Sequence, residues 1–251
     1  MEHLDAGRIA VLVLAGFVAG AVNAIAGGGS LISFPALLAV GYPALVANVT
    51  NTVALVPGYL GGSVAYRPEL AGQRGRVRTL GAISLIGGLA GSVLLVTAPA
   101  SLFRMIVPWL ILFSCALLLV QPAVARLVAR HQARADHPAL VLSSQFVAAV
   151  YGGYFGAGLG VLMLALLGMF LHDTLQRLNA LKGLLSLIIN LASAAFFAFF
   201  APVAWLPVLL MAVASLLGGH LGVHLARRLS NGFLRVLVIL FGVAVAVRLL
   251  L

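Results

Sequence analysis

Long apolar segments recur along almost the whole chain, and they restrict the possible fold more than any other feature. The 251 residues are 63% hydrophobic and only 8% charged, whereas about a quarter of the residues in a soluble domain are charged. Runs of about 18 or more apolar residues are typical of helices that cross a bilayer. The sequence therefore predicts an all-α integral membrane protein embedded in a lipid bilayer.

Ten apolar segments can be counted, with short polar or glycine-rich links between them. Segments 2 and 7 would form helices of only about 15–20 Å, less than the roughly 30 Å apolar layer of a bilayer. We expect these two to be half-helices or re-entrant segments. The ten segments cover residues 8–26, 30–40, 44–66, 77–97, 101–121, 139–155, 158–171, 174–200, 203–226 and 231–250.

The two halves of the chain resemble each other. The stretch GFVAGAVNAIAGGGSLISFPALL aligns with QFVAAVYGGYFGAGLGVLMLALL, and LIGGLAGSVLL aligns later with LLGGHLGVHLA. A unit with an odd number of segments inserts its copy upside down, and inverted repeats with interrupted helices are a transporter architecture. We predict two inverted five-segment repeats, residues 1–121 and 139–251, joined by a basic cytoplasmic loop at 122–138; chance similarity of short glycine-rich blocks is the alternative.

The basic residues predict the orientation. If the N-terminus is outside and the segments alternate, eleven arginines fall on the cytoplasmic side, and Arg8, Arg104 and Arg248 remain outside. Excess positive charge marks cytoplasmic loops, so we expect both termini to lie outside. Membrane topology thereby explains the net charge of +10, which need not indicate nucleic-acid binding, and we expect no nucleic-acid partner.

A glycine run interrupts the first apolar region in the stretch AIAGGGSLISFPAL. A helix break inside a bilayer exposes backbone N–H groups that protein, water or a ligand must satisfy. The N-terminus of the next helical piece adds a positive dipole end, which suits an anion. We expect Gly27, Gly28, Gly29 and Ser30 to contribute to anion binding, with Pro35 as a structural break; close helix packing by small residues is the alternative.

Polar side chains recur at helical spacing in two segments. Asn48, Asn51 and Thr52 share one face of segment 3. A longer stripe in segment 8 consists of Asn179, Lys182, Ser186, Asn190 and Ser193. Inverted repeats would bring both stripes, with Asn23, to one central cavity, although hydrogen bonding between helices would also explain them.

Lys182 is the only lysine and lies about two turns inside segment 8. It would attract an anion, or extend to the cytoplasmic headgroups. His220 and His224 form an i, i+4 pair that favours a proton relay or an interfacial role over a metal site. The five acids all fall in termini or loops, so an anionic cargo is favoured over a cationic one. We expect no metal and no cofactor.

Residues 16–70 resemble the TauE/SafE sulfite-exporter-like permeases, through the early glycine pattern that ends at Gly29, the following proline and the NVTNT stretch. The second half is less similar, since GAGLGVLMLALL lacks the third glycine and the proline. The resemblance implies a bacterial inner-membrane transporter of small sulfur-containing anions, such as sulfite or organosulfonates. Carried over to this chain, its motif positions are Gly27, Gly28, Gly29, Ser30, Pro35, Asn48, Thr50, Asn51 and Thr52.

The predicted function is a secondary carrier, with export by alternating access, and the alternative is a passive anion channel of the same fold. An intramembrane enzyme is not expected, because no nucleophile and base, carboxylate pair or metal cluster is evident at depth. Gly156 and Gly158 are assigned to the second break and added to the substrate site. The sequence leaves open the anion, a homo-oligomer and the coupling ion, for which a proton is one option.

Overall fold

The computed structural model describes residues 5–25, 27–130, 138–226 and 231–250, with side chains outside 25 and 222–234. These ranges are helical apart from short links. The helices are α1 (Ala6–Ile25), α2 (Ser30–Ala39), α3 (Ala44–Ala65), α4 (Arg74–Thr97), α5 (Ala100–Arg130), α6 (Pro138–Tyr154), α7 (Leu159–Phe170), α8 (Leu175–Phe200), α9 (Trp205–Ala226) and α10 (Asn231–Leu250), with a 3₁₀ turn at Arg67–Leu70.

The predicted all-α membrane fold is confirmed. Within the described residues, four helices are long and apolar enough to cross a bilayer, namely Ala6–Ala24, Arg74–Thr97, Ala100–Arg130 and Leu175–Phe200. Large apolar side chains also lie exposed on the outer surface of the bundle, among them Phe199, Leu209 and Val147. An exposed apolar surface of this extent is expected where the protein contacts lipid.

Helix ends follow proline and glycine, so the predicted boundaries agree closely with the observed ones. Gly41, at a φ of +109°, separates α2 from α3, and Pro43 caps the start of α3. The largest difference is at α5, which continues from the predicted end at 121 through Pro122 to Arg130. Val128 explains this extension, because it is buried and packs against Gly168 of α7.

Pro35 is not a break. It lies buried inside α2, which runs through it to Ala39. The interruption of the helix lies earlier, between Ile25 and Ser30, where glycine permits the backbone to turn. The helix remains only ten residues long, about 15 Å, as predicted for a half-helix.

The bundle core forms around the two short helices. One apolar cluster packs around α2 and includes Phe34, Phe103 and Phe155. A second packs around α7 and includes Met163, Leu167 and Leu185. Between these clusters, α1, α3 and α8 enclose the polar residues of the candidate site.

Helices of the two halves pack on each other in matching pairs. Helix α1 packs on α9 and α6 packs on α4, while α3 packs on α9 and α8 packs on α4. Glycines permit these close approaches: a Cβ on Gly218 would lie 1.9 Å from the Phe17 carbonyl oxygen, and one on Gly87 would lie 3.0 Å from that of Phe146. The sequence alignment places Phe17 over Phe146 and Gly87 over Gly218, so these two contacts join equivalent positions of the two halves. The packing supports the repeat, which stays a prediction.

Replacing Gly91 by alanine is expected to destabilise the fold. The new Cβ would lie 2.1 Å from the carbonyl oxygen of Val150 on α6, and overpacking of this kind costs about 1–3 kcal/mol. Gly75→Ala in the same helix is the matched control, because a Cβ there has no heavy atom within 4 Å. Thermal unfolding of both variants in detergent measures the difference; a Gly91→Ala protein as stable as the parent would contradict the close contact.

Candidate functional site

Two backbone donors of the first helix break are satisfied within the protein. The N–H of Gly27, at a φ of +81°, donates to the Val22 carbonyl at 3.0 Å. The N–H of Gly29 donates to the Asn23 side-chain oxygen at 2.7 Å. The prediction that Gly27 and Gly29 hold an anion with their own N–H groups therefore does not hold in this conformation, while the roles of Gly28 and Ser30 stay predictions.

The Asn23 side chain accepts a hydrogen bond from the break and keeps a donor group of its own. The Gly29 N–H can only donate, so Asn23 must turn its oxygen toward it. The amide nitrogen of Asn23 is then directed elsewhere, and it is buried without a partner in the described part of the chain. Two donor hydrogens are thus held in a fixed direction by the glycine break.

Asn23 lines a narrow cavity between α1, α3 and α8. The cavity has a volume of about 20 Å³, enough for one water molecule. The polar side chains in its wall are Asn23, Tyr59, Ser63, Tyr66, Asn179 and Lys182. Of the residues predicted for the site, the structure therefore brings Asn23, Asn179 and Lys182 together.

Lys182 places a positive charge in this cavity. The residue is 4% exposed, so it does not extend to the lipid headgroups in this conformation. Its ammonium nitrogen lies 3.1 Å from the Asn179 side-chain oxygen, and no carboxylate among the described residues pairs with it. A buried ammonium group without a counter-ion is energetically costly, and an anion in the cavity would remove that cost.

Ser63 adds a further polar group to the same wall. Its hydroxyl is buried and has no partner among the described residues. Tyr59 of α3 lies in the same wall. The cavity therefore combines a cation, an amide and hydroxyl groups, which suits the oxygens of a small oxyanion.

Asn48 and Asn51 belong to a different polar cluster. The Asn48 amide nitrogen donates to the Tyr154 carbonyl, at the end of α6, at 2.9 Å. The Ser33 hydroxyl donates to the Asn51 side-chain oxygen. These bonds tie α3 to α2 and α6, and neither Asn48 nor Asn51 lines the cavity that contains Lys182.

The remaining predicted polar residues make local hydrogen bonds. The Thr50 hydroxyl accepts from the Ala204 N–H, just before α9, at 3.0 Å. Within helices, Thr52 donates to the Asn48 carbonyl at 3.1 Å, and Asn190 donates to the Ser186 carbonyl at 2.9 Å. For these residues the structure favours the alternative of hydrogen bonds that join and stabilise helices.

The second break lies against the first. Gly156 and Gly158 have φ values of +76° and +73°, and the intervening Ala157 carbonyl accepts from Ser114 at 2.9 Å. A Cβ on Gly27 would lie 2.5 Å from the Cα of Gly160, so the two breaks touch. Here too the backbone is satisfied by protein, since the Gly156 N–H donates to the Tyr151 carbonyl at 3.1 Å.

The histidine pair is only partly described. His220 is exposed on α9, whereas the side chain of His224 lies outside the described residues. The proton relay therefore stays a prediction.

Comparison with known proteins is consistent with a transport site. The sequence model of the family described as "Sulfite exporter TauE/SafE" matches residues 12–249. The chain belongs to the TauE/SafE family.

Relatives of similar length carry transporter names. A "Probable membrane transporter protein" of Haemophilus influenzae is 28% identical over 92% of this chain and 90% of its own length. "Probable membrane transporter protein ORF9" of Sinorhizobium is 28% identical over 100% and 95%, and the Escherichia coli K12 "Probable membrane transporter protein YfcA" is 23% identical over 96% and 89%. No solved structure matches the chain. The protein is thus a multi-pass membrane protein of a transporter family.

In this member of the TauE/SafE family, an ion-pair cluster joins the two halves. The Asp173 carboxylate lies 2.7 Å from Arg76 of α4 and 2.8 Å from Arg177 of α8. Arg177 also donates to the Ala71 carbonyl at 2.9 Å, and Gln73 donates to the Arg177 carbonyl at 3.2 Å. These contacts, here called the loop latch, connect the α3–α4 link to the α7–α8 link.

The latch was not found from the sequence, which indicated only that Asp173 lies in a loop. Its side chain is 11% exposed, so a carboxylate is largely buried there. Burial raises the pKa of Asp173. The hydrogen bond from the Thr174 N–H and the guanidinium groups of Arg177 and Arg76 lower this pKa by more than burial raises it, so it lies below its usual range. Such a carboxylate contributes its stabilisation above its usual pKa and loses it only as the pH falls through the lowered value.

Tyr59, Ser63 and Tyr66 were also missed. They follow one another at steps of four and three, which places them on one face of α3. That spacing was the available signal, but these side chains are only weakly polar and lie in a glycine-rich apolar segment.

Asn23→Leu is expected to destabilise the protein, because it leaves the buried Gly29 N–H unpaired at a cost of about 1–3 kcal/mol. Asn23→Asp is the matched control, since a carboxylate still accepts from Gly29 and faces Lys182. Thermal unfolding in detergent at neutral pH compares the two. If the leucine variant were as stable as the parent, the break would not depend on Asn23.

Proposed function

We propose that the protein is a secondary carrier that exports a small sulfur-containing anion, such as sulfite or an organosulfonate, across the bacterial inner membrane. The observation that carries this proposal is the unneutralised ammonium group of Lys182, buried beside the amide of Asn23. The family description supports the choice of a sulfur oxyanion.

The donor set fits the proposed cargo. A sulfite or sulfonate group offers three oxygens and a negative charge, and it accepts hydrogen bonds without needing any acceptor in return. Lys182 supplies an ammonium group, Asn23 supplies an amide, and Ser63 supplies a hydroxyl. A charge-assisted hydrogen bond from the ammonium group would contribute most of the binding energy.

The narrowness of the cavity supports a carrier over a channel. A volume of about 20 Å³ holds a water molecule but not a sulfur oxyanion. The walls must therefore separate before the anion enters, whereas an open channel has a continuous wet path. Movement of α3 relative to α8 would enlarge the site, because both helices contribute to its wall.

The loop latch supports an alternating mechanism with a cytoplasmic gate. It connects links from opposite halves, and it lies beyond Tyr66 and Lys182, at the ends of α3 and α8 for which the excess of basic residues predicts a cytoplasmic position. In this proposal both termini face outward, and opening of the latch admits the anion from the cytoplasm. The matching helix pairs of the two halves would allow the corresponding movement on the outer side.

Lys182→Met is expected to lower transport of labelled sulfite by about tenfold or more, because a hydrogen bond to a charged group contributes about 1.5–3 kcal/mol. Asn23→Asp should also abolish it, since a carboxylate would repel the anion and neutralise Lys182. Uptake into inside-out vesicles measures both effects. The control is Arg126→Gln, which removes one positive charge from an exposed part of α5.

Two outcomes would contradict this proposal separately. Full sulfite transport by Lys182→Met and by Asn23→Asp would exclude the site. Loss of transport by these variants, together with flux in the parent that neither saturates nor accelerates when substrate is placed on the opposite face, would keep the site but favour a channel.

Asp173→Asn is expected to open the cytoplasmic side more often. In the test protein, the single native cysteine, Cys115, is replaced by serine so that it cannot react. Ser63→Cys then provides the only thiol, as a reporter in the cavity wall. A membrane-impermeant maleimide added from the cytoplasmic side should label this reporter several-fold faster when Asp173 is replaced. Asp5→Asn is the control, because it breaks an exposed pair with Arg8 far from the cavity.

The pH dependence provides a second check on the latch. Because the pKa of Asp173 is lowered, the latch should stay charged between about pH 5 and 8. Because maleimide reacts with the thiolate, whose fraction rises with pH, labelling of the parent is divided at each pH by labelling of the same cysteine in the Asp173→Asn protein. This ratio should change little over the range. A latch that opened within it, or an Asp173→Asn protein labelled no faster than the parent, would contradict the gate.

A further inference from the structure

A second cavity lies at the opposite end of α3 from the loop latch. It has a volume of about 440 Å³ and lies where the link between α2 and α3 meets the start of α5 and the end of α10. Tyr42 and Ala44 line it, whereas the latch lies beyond Ala65. A helix of this length places the two ends about 33 Å apart, so this cavity opens on the other face of the protein.

Two arginines line this outer cavity. Arg104 comes from α5 and Arg248 from α10. No carboxylate in the described ranges pairs with either guanidinium group, whereas Arg8, the third arginine predicted on this face, pairs with Asp5. Arg104 and Arg248 are both exposed, so water screens their repulsion, and an anion that reached both guanidinium groups would make two charge-assisted contacts.

The rest of the cavity wall is mostly apolar. Leu38, Phe241 and Val245 lie in it, and Phe241 is 39% exposed on the outer surface of α10. The surrounding surfaces of α5 and α10 carry exposed apolar side chains, such as Trp109 and Leu240. The cavity thus has a cationic part and an apolar part that continues into the lipid-facing surface.

We propose that this outer cavity is a second binding site, for an amphiphilic anion whose phosphate or sulfonate head lies between Arg104 and Arg248 and whose apolar part contacts Phe241 and Val245. Arginine matches such heads well, because its planar group donates two hydrogen bonds to two oxygens at once. The same chemistry is found in an anionic phospholipid and in a soluble alkyl sulfonate. The site shares no residue with the cavity of Lys182 and does not rest on the proposed transport function.

The experiment measures binding and not transport. Purified protein in a neutral detergent is titrated separately with phosphatidylglycerol, phosphatidylcholine, 1-octanesulfonate and inorganic sulfate. Thermal unfolding and native mass spectrometry detect bound ligand. The variants are Arg104→Gln with Arg248→Gln, each of these alone, and Arg126→Gln as the control. Every variant is also tested together with Lys182→Met, so that the cavity of Lys182 makes no contribution.

Phosphatidylglycerol or octanesulfonate should stabilise the parent, the control and Lys182→Met, and within the Lys182→Met background should bind about tenfold or more weakly to the double variant. Preference for the lipid would identify the bilayer as the source, and preference for octanesulfonate would identify a soluble ligand. If the double variant fails to fold, each single variant should still weaken binding.

Three results would overturn the proposal. They are equal binding of phosphatidylglycerol and phosphatidylcholine without any binding of octanesulfonate, unchanged binding by the arginine variants, and binding of sulfate as tight as that of octanesulfonate. The last would show that the apolar wall contributes nothing.

Discussion

The hydrogen bond from the Gly29 N–H to the Asn23 side chain is the contact on which the rest of the candidate site depends. A helix can be interrupted inside a bilayer only if the protein satisfies the backbone groups that the interruption exposes. Asn23 does this at 2.7 Å, and the requirement fixes which end of its amide faces the cavity. The same residue therefore accepts the hydrogen bond of the break and lines the cavity that Lys182 also lines.

This arrangement changes the role of the glycines. Gly27 has a positive φ and contacts Gly160 in the second half. A side chain at position 27 would strain the backbone and would clash with Gly160. The breaks thus bring two half-helices together and leave the polar chemistry to side chains on α1, α3 and α8. A site built this way can change shape when α3 and α8 move, while the contact between the breaks stays in place.

The helices could be predicted well from the sequence, and the site only in part. Glycine, proline and the loss of hydropathy mark helix ends, which is why only the extension of α5 was missed: Val128 is held by packing against Gly168, which hydropathy does not report. Asn23, Asn179 and Lys182 stood out because polar groups are costly in an apolar segment. Asn48 and Asn51 have the same signal, yet they hydrogen-bond with Tyr154 and Ser33. The sequence cannot separate these roles, because a buried amide can hydrogen-bond to a neighbouring helix as well as to a ligand.

The charges of the described residues differ in how they are compensated, and the difference follows their position. At the α3–α4 and α7–α8 links, Asp173 has two arginines, so the latch retains an excess of positive charge while its carboxylate is fully paired. In the interior, Lys182 has an amide oxygen as its partner, and in the outer cavity Arg104 and Arg248 have no acid beside them. Because the described acids are engaged or distant, the buried Lys182 and the exposed pair Arg104 and Arg248 each favour an anion over a cation. In the proposed function, an anion crossing the protein would therefore meet excess positive charge at the latch, at the buried Lys182 and at the pair Arg104 and Arg248, which lowers the barrier to crossing without any one contact having to hold the anion tightly.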